Sequence, residues 1–315
     1  MGKEIYYAYS KYLKAKYGEK VYKLPVNLPV SCPNRKEGAG CLFCAREGTG
    51  FEAVDCTLPI SEQMRISRDR MEKRYHAHKF IAYFQNYTNT FLPLEQLMKY
   101  MKEAAQMEDI VEISISTRPD CIRKDYLEAF KKFRDRTGIE ISLELGLQTV
   151  NYHTLEKMNR GHGLAEFINA VLLTEPYRFP VCVHMILNLP GDEMEDAKES
   201  ARILSALPVT MVKLHSLYIP KNSPLSEEYE HGKIAICTKE EYLKRLMEFV
   251  SLLRPDIVLE RLFSRIPEKD SSFCNWGCSW WKLMDEWELL MRKNERYQGI
   301  YFNYLNGSAL NRWEM

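Results

Sequence analysis

The chain has almost no excess of either charge: 44 lysines and arginines face 43 aspartates and glutamates, a formal balance of +1 over 315 residues. That excludes a protein holding nucleic acid by bulk charge alone, and leaves only a local basic patch for such a role. Long apolar runs are missing too. The most hydrophobic stretch, Phe179 to Leu189, is broken by His184 and Asn188 and is far shorter than the roughly 18 residues a membrane span needs. The N-terminus runs from Met1-Gly2-Lys3-Glu4 into tyrosines and lysines, without the apolar segment of a secretion signal. A cytoplasmic protein with no membrane partner is expected. No fixed-period repeat, low-complexity tract or Gly/Ser linker marks a cut between independent domains.

What is present suits a folded protein, with 45% hydrophobic and 12% aromatic residues. A chain of this length buries roughly 75% of the surface its unfolded form exposes, so its core needs no disulfides. In a reducing compartment the nine cysteines are better read as metal ligands or redox groups than as bridges.

Strand patterns alternate with helix patterns along the chain. Strands are predicted at Val21 to Asn27, Lys79 to Gln85, Ile110 to Ser116, Ile139 to Leu145, Val181 to Leu187 and Thr210 to Leu217. Helices are predicted at Ser61 to Tyr75, Leu94 to Met107, Lys124 to Arg136, Leu164 to Thr174 and Glu193 to Leu207, with Ser61 and Asp192 as helix-start signals. A strand-like segment, Asp256 to Leu262, and a Trp-rich helix, Ser279 to Arg292, follow. Repeated strand-then-helix units mean parallel strands with right-handed crossovers. The reading is an α/β protein: a partial (β/α)6 TIM-like barrel of parallel strands over residues 21–235, a basic helix over 1–20 and a C-terminal extension over 236–315.

A parallel sheet covered on both faces reads as continuously apolar. These strands do not. Val111, Ile113 and Ile115 alternate with Glu112, Ser114 and Ser116, and Ile139, Ile141, Leu143 and Leu145 with Glu140, Ser142 and Glu144. Cys182, His184 and Asn188 continue the polar set in the fifth unit, Lys213 and His215 in the sixth. The apolar set is expected to face outer helices and the polar set the inside of a partly open barrel, because buried charges need partners or a ligand cavity.

The sharpest motif follows the first strand: Cys32-Pro33-Asn34-Arg35, then Gly38-Ala39-Gly40, then Cys41-Leu42-Phe43-Cys44. Three thiolates within 13 residues, at the end where parallel α/β folds place their sites, can hold three irons of a 4Fe-4S cluster and leave the fourth open. They can also hold zinc, if His76 or His78 supplies a fourth ligand. Cys274 and Cys278 are candidates for a second metal site, and Cys121 and Cys182 for a radical role.

With these cysteines, several further runs resemble the radical S-adenosylmethionine superfamily, in its YhcC/YtqA-type branch, which is similar to the radical domain of the elongator catalytic subunit. The carriers are Phe80 to Phe91, Ser116 to Cys121, Leu143 to Thr149, Asn159 to His162, His184 to Gly191 and Lys213 to His215. The sequence departs from the family pattern in its short gap from Cys32 to Cys41 and in the segment Ser264 to Cys278. The resemblance implies one 4Fe-4S cluster on Cys32, Cys41 and Cys44, with S-adenosylmethionine (SAM) on the open iron. By position, the backbone of Phe43 is expected against adenine, Gln85 and Asn86 at the methionine amino group, Glu144 at the ribose hydroxyls and Arg160 at the methionine carboxylate. It further implies an electron donor such as flavodoxin or ferredoxin. The implied reaction is tRNA wobble-uridine modification, from 5-carboxymethylaminomethyl-uridine towards aminomethyl-uridine. A small metabolite or porphyrin-type substrate, or a zinc-stabilised RNA-binding protein without catalysis, are the alternatives.

Two basic segments bear on RNA. The first 23 residues hold six lysines against two glutamates, interleaved with six tyrosines, and Met64 to Lys79 adds four arginines and two lysines. Aromatics among cations suit base stacking and phosphate contact, and the two are expected to form a tRNA-facing rim. Ile5, Tyr9, Tyr12 and Leu13 also share one helical face, which equally serves to pack the helix down.

Overall fold

The curl of one parallel sheet accounts for the mixed polarity of the strands. In the computed structural model, which describes residues 4–36, 38, 40–45, 54–265 and 268–310, seven strands lie side by side in the order β1-β2-β3-β4-β5-β6-β8. They are β1 (Val21–Val26), β2 (Lys79–Phe84), β3 (Ile110–Thr117), β4 (Glu140–Gln148), β5 (Val181–Ile186), β6 (Met211–His215) and β8 (Val258–Arg261), and every neighbouring pair is parallel. Two short strands, β7 (Tyr218–Pro220) and β9 (Ser271–Cys274), form a separate antiparallel pair. The helices are α1 (Tyr9–Tyr17), α2 (Pro33–Lys36), α3 (Ile60–Tyr75), α4 (Leu94–Ala104), α5 (Lys124–Thr137), α6 (Tyr152–Lys157), α7 (Leu164–Thr174), α8 (Met194–Ala206), α9 (Pro224–Glu230), α10 (Lys239–Leu252) and α11 (Trp280–Lys293). The fold is a curled half-barrel of the TIM-like kind. Ala39 of the cysteine loop and residues 1–3 of the basic segment lie outside the described residues.

The predicted alternation is resolved as the two faces of this curl. Ile113, Ile115, Ile141, Leu143 and Leu145 join the core beneath the helices, with Phe130, Phe167 and Leu246. Ser114 pairs with Ser142, and Ser116 with Glu144, across the inner face. Val111 is the exception. A bulge in the β2–β3 register at Phe80/Ile81 puts Ile110 into the outer core and leaves Val111 beside Leu13 and Ile81. Asn188 also leaves the inner face, since β5 ends at Ile186 and its side-chain oxygen accepts from the Leu217 amide at 2.7 Å.

The helix starts differ from the caps read in the sequence. Pro59 holds the N-cap of α3, because Ile60 is drawn into the core and the helix begins there. In α8 Glu193 is the N-cap, in a reciprocal box with Asp196, while Asp192 is buried just before it.

The C-terminal extension is woven into the barrel. Its β8 completes the sheet beside β6, its β9 pairs with β7, and α10 supplies Tyr242, Leu246, Phe249 and Val250 to the main core. The N-terminal segment closes the opposite end. Ala8 bridges Leu259, Leu13 packs on Val21 and Ile81, Tyr7, Tyr9 and Tyr12 cover Cys182, Met211 and Val258, and the Tyr17 hydroxyl donates to Glu112 at 2.6 Å. All the strand residues named here stand at or near the strands' N-terminal ends, so α1 is the floor of the barrel. Burying Leu13 there stabilises the chain by about 2 kcal/mol. Among the described residues no helix is long and apolar enough to cross a membrane.

Candidate active site at the barrel mouth

The connection that leaves β1 at its C-terminal end carries three cysteines, and local hydrogen bonds fold it into two turns. The Cys32 carbonyl accepts from the amides of Arg35 and Lys36 at the start of α2, and the Cys44 amide donates to the Cys41 carbonyl at 3.0 Å. The loop is tied across the mouth by the Leu42 amide on the Met158 carbonyl at 3.1 Å and by Asn34 Nδ2 on the Asn159 carbonyl at 2.7 Å. Gly161, at φ +69°, lies so close to Asn34 that a Cβ would stand 2.6 Å from its side-chain oxygen. Only glycine meets both demands there.

Cys32, Cys41 and Cys44 line one cavity of about 270 Å³, and two buried guanidiniums lie against their sulfurs. Arg160 Nη1 is 3.3 Å from Cys41 Sγ, and Arg118 Nη1 is 3.9 Å from Cys32 Sγ. Arg160 is fixed by Nη2 on the Gly146 carbonyl at 2.6 Å, Arg118 by Asp120 at 2.7 Å and by the Arg160 carbonyl at 2.9 Å. The hydrogen bond from Cys44, helped by Arg160 and Arg118, holds the Cys41 thiol well below its ordinary range. The same bond, with burial, pushes Cys44 up. Burial, followed by the two guanidiniums, takes His162 down to about 3, so that imidazole is neutral.

This donor set suits a cluster better than a single ion. Thiolates around one zinc stand roughly 3.8 Å apart, from tetrahedral bonds of about 2.3 Å; here Cys41 and Cys44 are in contact, but the three sulfurs do not all lie within 4.8 Å of one another. Nor do the two histidines that could complete a zinc site reach the loop. His76 caps the C-terminus of α3 and His78 immediately precedes β2, so both lie at the floor end.

Below the cysteines the cavity is polar. Glu144 accepts from Lys23 at 2.5 Å and Ser114 at 3.1 Å on one oxygen, and faces Tyr83 at 2.9 Å, His184 at 2.6 Å and Lys213 at 3.1 Å on the other. Glu260 holds the same two lysines, Lys23 at 2.8 Å and Lys213 at 3.1 Å. Two ammoniums and two carboxylates therefore cancel in a closed square. Burial penalises the charge on Glu144, but Lys213 and Lys23 outweigh it and hold the carboxyl well below its usual range. Burial also drives His184 and His215 down, which leaves both imidazoles neutral near pH 7. The ligand atoms of Glu144, Cys182 and His184 lie close enough to hold a metal ion, but two ammoniums on Glu144 oppose a second cation there.

Phe43, Gln85, Glu144 and Arg160 line the cavity with the three cysteines. Asn86 stands apart: it is buried, and its Nδ2 donates to Asn27 Oδ1 at 2.8 Å, because the residue after an inward Gln85 turns away. Cys274 sits in β9 opposite Tyr218, and among the described residues neither it nor Cys278 joins a group of three ligands. The expected basic rim is divided from the mouth. Helix α1 is on the floor, and α3 descends from the mouth so that Arg70 and Arg74 lie in its last turns, next to the start of β2. Sequence reasoning assigned no role to Arg118 or Glu260. Arg118 belongs to the run Ser116 to Cys121 at the end of β3, but its contact with Cys32 arises only in three dimensions. Glu260 is inward only because β8 joins the barrel. Gln148, another lining residue, has a left-handed backbone at φ +79°, a strained state typical of sites.

Comparison with known proteins agrees with this geometry. Residues 26–204 match the Radical SAM superfamily, and residues 209–293 match the Radical_SAM C-terminal domain. The chain is similar to protein YtqA of Bacillus subtilis, 29% identical over 95% of this chain and 94% of that protein. It is similar to YhcC of Escherichia coli, 32% identical over 79% of this chain and 80% of that protein. A shorter stretch, 53% of this chain and 31% of the relative, is 26% identical to the tRNA uridine(34) acetyltransferase of Methanocaldococcus jannaschii. In fold it is similar to the solved structure of Methanocaldococcus infernus Elp3, with a TM-score of 0.67 at 18% identity, over 88% of this chain and 64% of that one.

Proposed function

Since the chain belongs to the radical SAM superfamily, in its YhcC/YtqA branch, and is an enzyme of that kind, we propose that it modifies the wobble uridine of tRNA, taking 5-carboxymethylaminomethyl-uridine towards aminomethyl-uridine. The observation that carries the catalytic part is the convergence of Cys32, Cys41 and Cys44 on one cavity with Arg118 and Arg160 against the sulfurs. The family implies a 4Fe-4S cluster and SAM, and three thiols on one cavity with compensating guanidiniums suit the cluster. Bound there, cluster and SAM supply a one-electron reductive cleavage of the sulfonium, and with it the power to abstract hydrogen from an unactivated carbon.

The chain's own residues hold and shield that chemistry. Cys32, Cys41 and Cys44 are the ligands, and Arg118 and Arg160 offset their negative charge in a site of low dielectric. Phe43, 8% exposed, offers an apolar wall to adenine. Gln85 supplies a side-chain amide to the methionine end, and Arg160 remains the candidate for its carboxylate. Glu144 faces the ribose side, but a hydroxyl there must displace one of five existing partners; its first task is to keep Lys23, Lys213 and His184 in place. Asn86 acts behind Gln85 by bracing Asn27. The floor formed by α1 keeps water from entering beneath.

The tRNA part rests on the partial likeness to the tRNA uridine(34) acetyltransferase, and the target uridine would have to enter at the mouth, where the three cysteines are. The test is direct. Protein purified without oxygen is expected to carry iron and sulfide and to release methionine and 5'-deoxyadenosine from SAM once reduced. A strain lacking the gene is expected to accumulate the carboxymethylaminomethyl nucleoside in digested tRNA, read by mass analysis. An unchanged nucleoside profile, with no conversion of that tRNA in vitro, sinks the tRNA assignment.

A further inference from the structure

The charged side chains that line the cavity each have a partner, with one exception among the described residues. Lys23 and Lys213 are balanced by Glu144 and Glu260. Arg118 is held by Asp120, and Arg160 by the Gly146 carbonyl and the Cys41 sulfur. Arg35 donates to the Ala45 carbonyl and lies 5.3 Å from the Tyr87 ring, while Arg265 lies 4.1 Å over the Trp280 ring. Arg261 lines the same cavity, and its guanidinium has no hydrogen bond or ion pair with any described residue. It is half-buried at the C-terminal end of β8, in register with Lys213 across the β6–β8 bulge, and close enough to His215 and Tyr218 to influence both.

Its place in the sheet separates it from the residues assigned to SAM. Gln85 and Arg160 follow β2 and α6, whereas Arg261 ends β8, an edge strand of the sheet. A guanidinium turned into a cavity without a counter-charge is an unfilled half of an ion pair, and its planar fork fits two anionic oxygens at once. We propose that Arg261 is a specificity-determining residue on the substrate side of the mouth, where it takes an anionic oxygen group of the substrate, with the His215 imidazole beside it as a hydrogen-bonding neighbour. This rests on the tRNA reading for its choice of group: the carboxylate of the carboxymethylaminomethyl side chain. A backbone phosphate of RNA offers the same oxygen chemistry, and the two sources are separated as follows.

Reconstituted holoprotein with saturating SAM is compared as wild type, Arg261→Gln and Arg261→Lys. Binding is measured to two tRNAs of one sequence, one with carboxymethylaminomethyl-uridine and one with aminomethyl-uridine at the wobble position. Loss of a charge-assisted pair is expected to weaken binding about tenfold or more. If Arg261→Gln loses this on the acid-bearing tRNA alone, and Arg261→Lys recovers part of it, the carboxylate is the group bound. Equal weakening on both tRNAs assigns the phosphate. Wild-type affinity for both in Arg261→Gln overturns the proposal and leaves the tRNA reading standing. Loss of SAM binding in that variant also overturns it, by placing Arg261 on the cofactor. If the wild type holds neither tRNA, the tRNA reading fails. Arg261 is then judged by phenylglyoxal labelling of the holoprotein, followed by peptide mass analysis. Labelling slowed by acetate or inorganic phosphate keeps the anion site, and unslowed labelling removes it.

Discussion

Arg160 reaches Cys41 Sγ with one guanidinium nitrogen at 3.3 Å and the Gly146 carbonyl with the other at 2.6 Å, so the C-terminal end of β4 and the cysteine loop are locked to a common side chain. A Cβ on Gly146 would stand 2.7 Å from that nitrogen. The glycine at this strand end is therefore what lets the arginine arrive. The contact makes ligand loop and barrel one unit.

Changing Cys32, Cys41 or Cys44 singly to alanine is expected to abolish the iron–sulfur absorbance and SAM cleavage, because three thiolates are the fewest that hold a cubane with one open iron. Cys274→Ala is expected to keep the iron of one cluster, since that thiol belongs to β9. Iron and sulfide analysis after anaerobic reconstitution decides it; a Cys274 variant that loses most of its iron would point to a second cluster.

Glu144 is predicted to matter twice. Removing it leaves Lys23 and Lys213 with Glu260 alone, and breaking a buried charge network from one side costs about 3 to 5 kcal/mol. Glu144→Ala is thus expected to lower the melting temperature and weaken SAM binding, while the cysteine-bound cluster keeps its spectrum in the fraction that folds. Thermal melts beside SAM titration check both, and unchanged SAM affinity would confine Glu144 to a structural part.

Asp192 carries a pH prediction. Burial raises its carboxyl to about 6, against hydrogen bonds from Thr154 and Thr149, and its Oδ1 has no hydrogen-bond partner. The unfolded value is about 3.9, so the native state binds the proton more tightly. Stability from this group is full below about pH 4, falls as pH rises to about 6 and stays reduced above. Asp192→Asn is expected to match wild type near pH 4 and exceed it by about 1 to 3 kcal/mol above pH 7. Denaturant titrations at the two pH values test the sign, and a constant difference would contradict it.

Neutralising Lys11, Lys14, Arg70 and Arg74 together is expected to leave the salt dependence of tRNA binding unchanged, because these exposed groups belong to the floor end. A slope reduced by about three would place RNA there instead, as each phosphate contact releases counterions.

Local pattern carried much of this protein. Alternation along β3 and β4 showed a polar inner face because a strand's side chains switch sides with every residue, and the thirteen-residue cysteine loop stood out because its ligands are neighbours in sequence. The parallel order followed from strand-then-helix succession. Long-range pairing was not written locally. Val111 left the outer face through one bulge that its own segment does not reveal, and Glu260 became the counter-charge of Lys23, 237 residues away, only when β8 closed the sheet beside β6. The basic, tyrosine-rich N-terminus reads as an RNA-binding helix until burial decides otherwise: its tyrosines cover the barrel floor and Lys16 pairs with Glu112 at 3.3 Å. Sequence fixes which groups are available because composition and spacing are local properties. Tertiary structure decides which of them meet, because charge pairing and burial depend on distance in space, and the same curl that gathers Cys32, Arg118 and Arg160 at the mouth sends Lys11 and Arg74 to the other end.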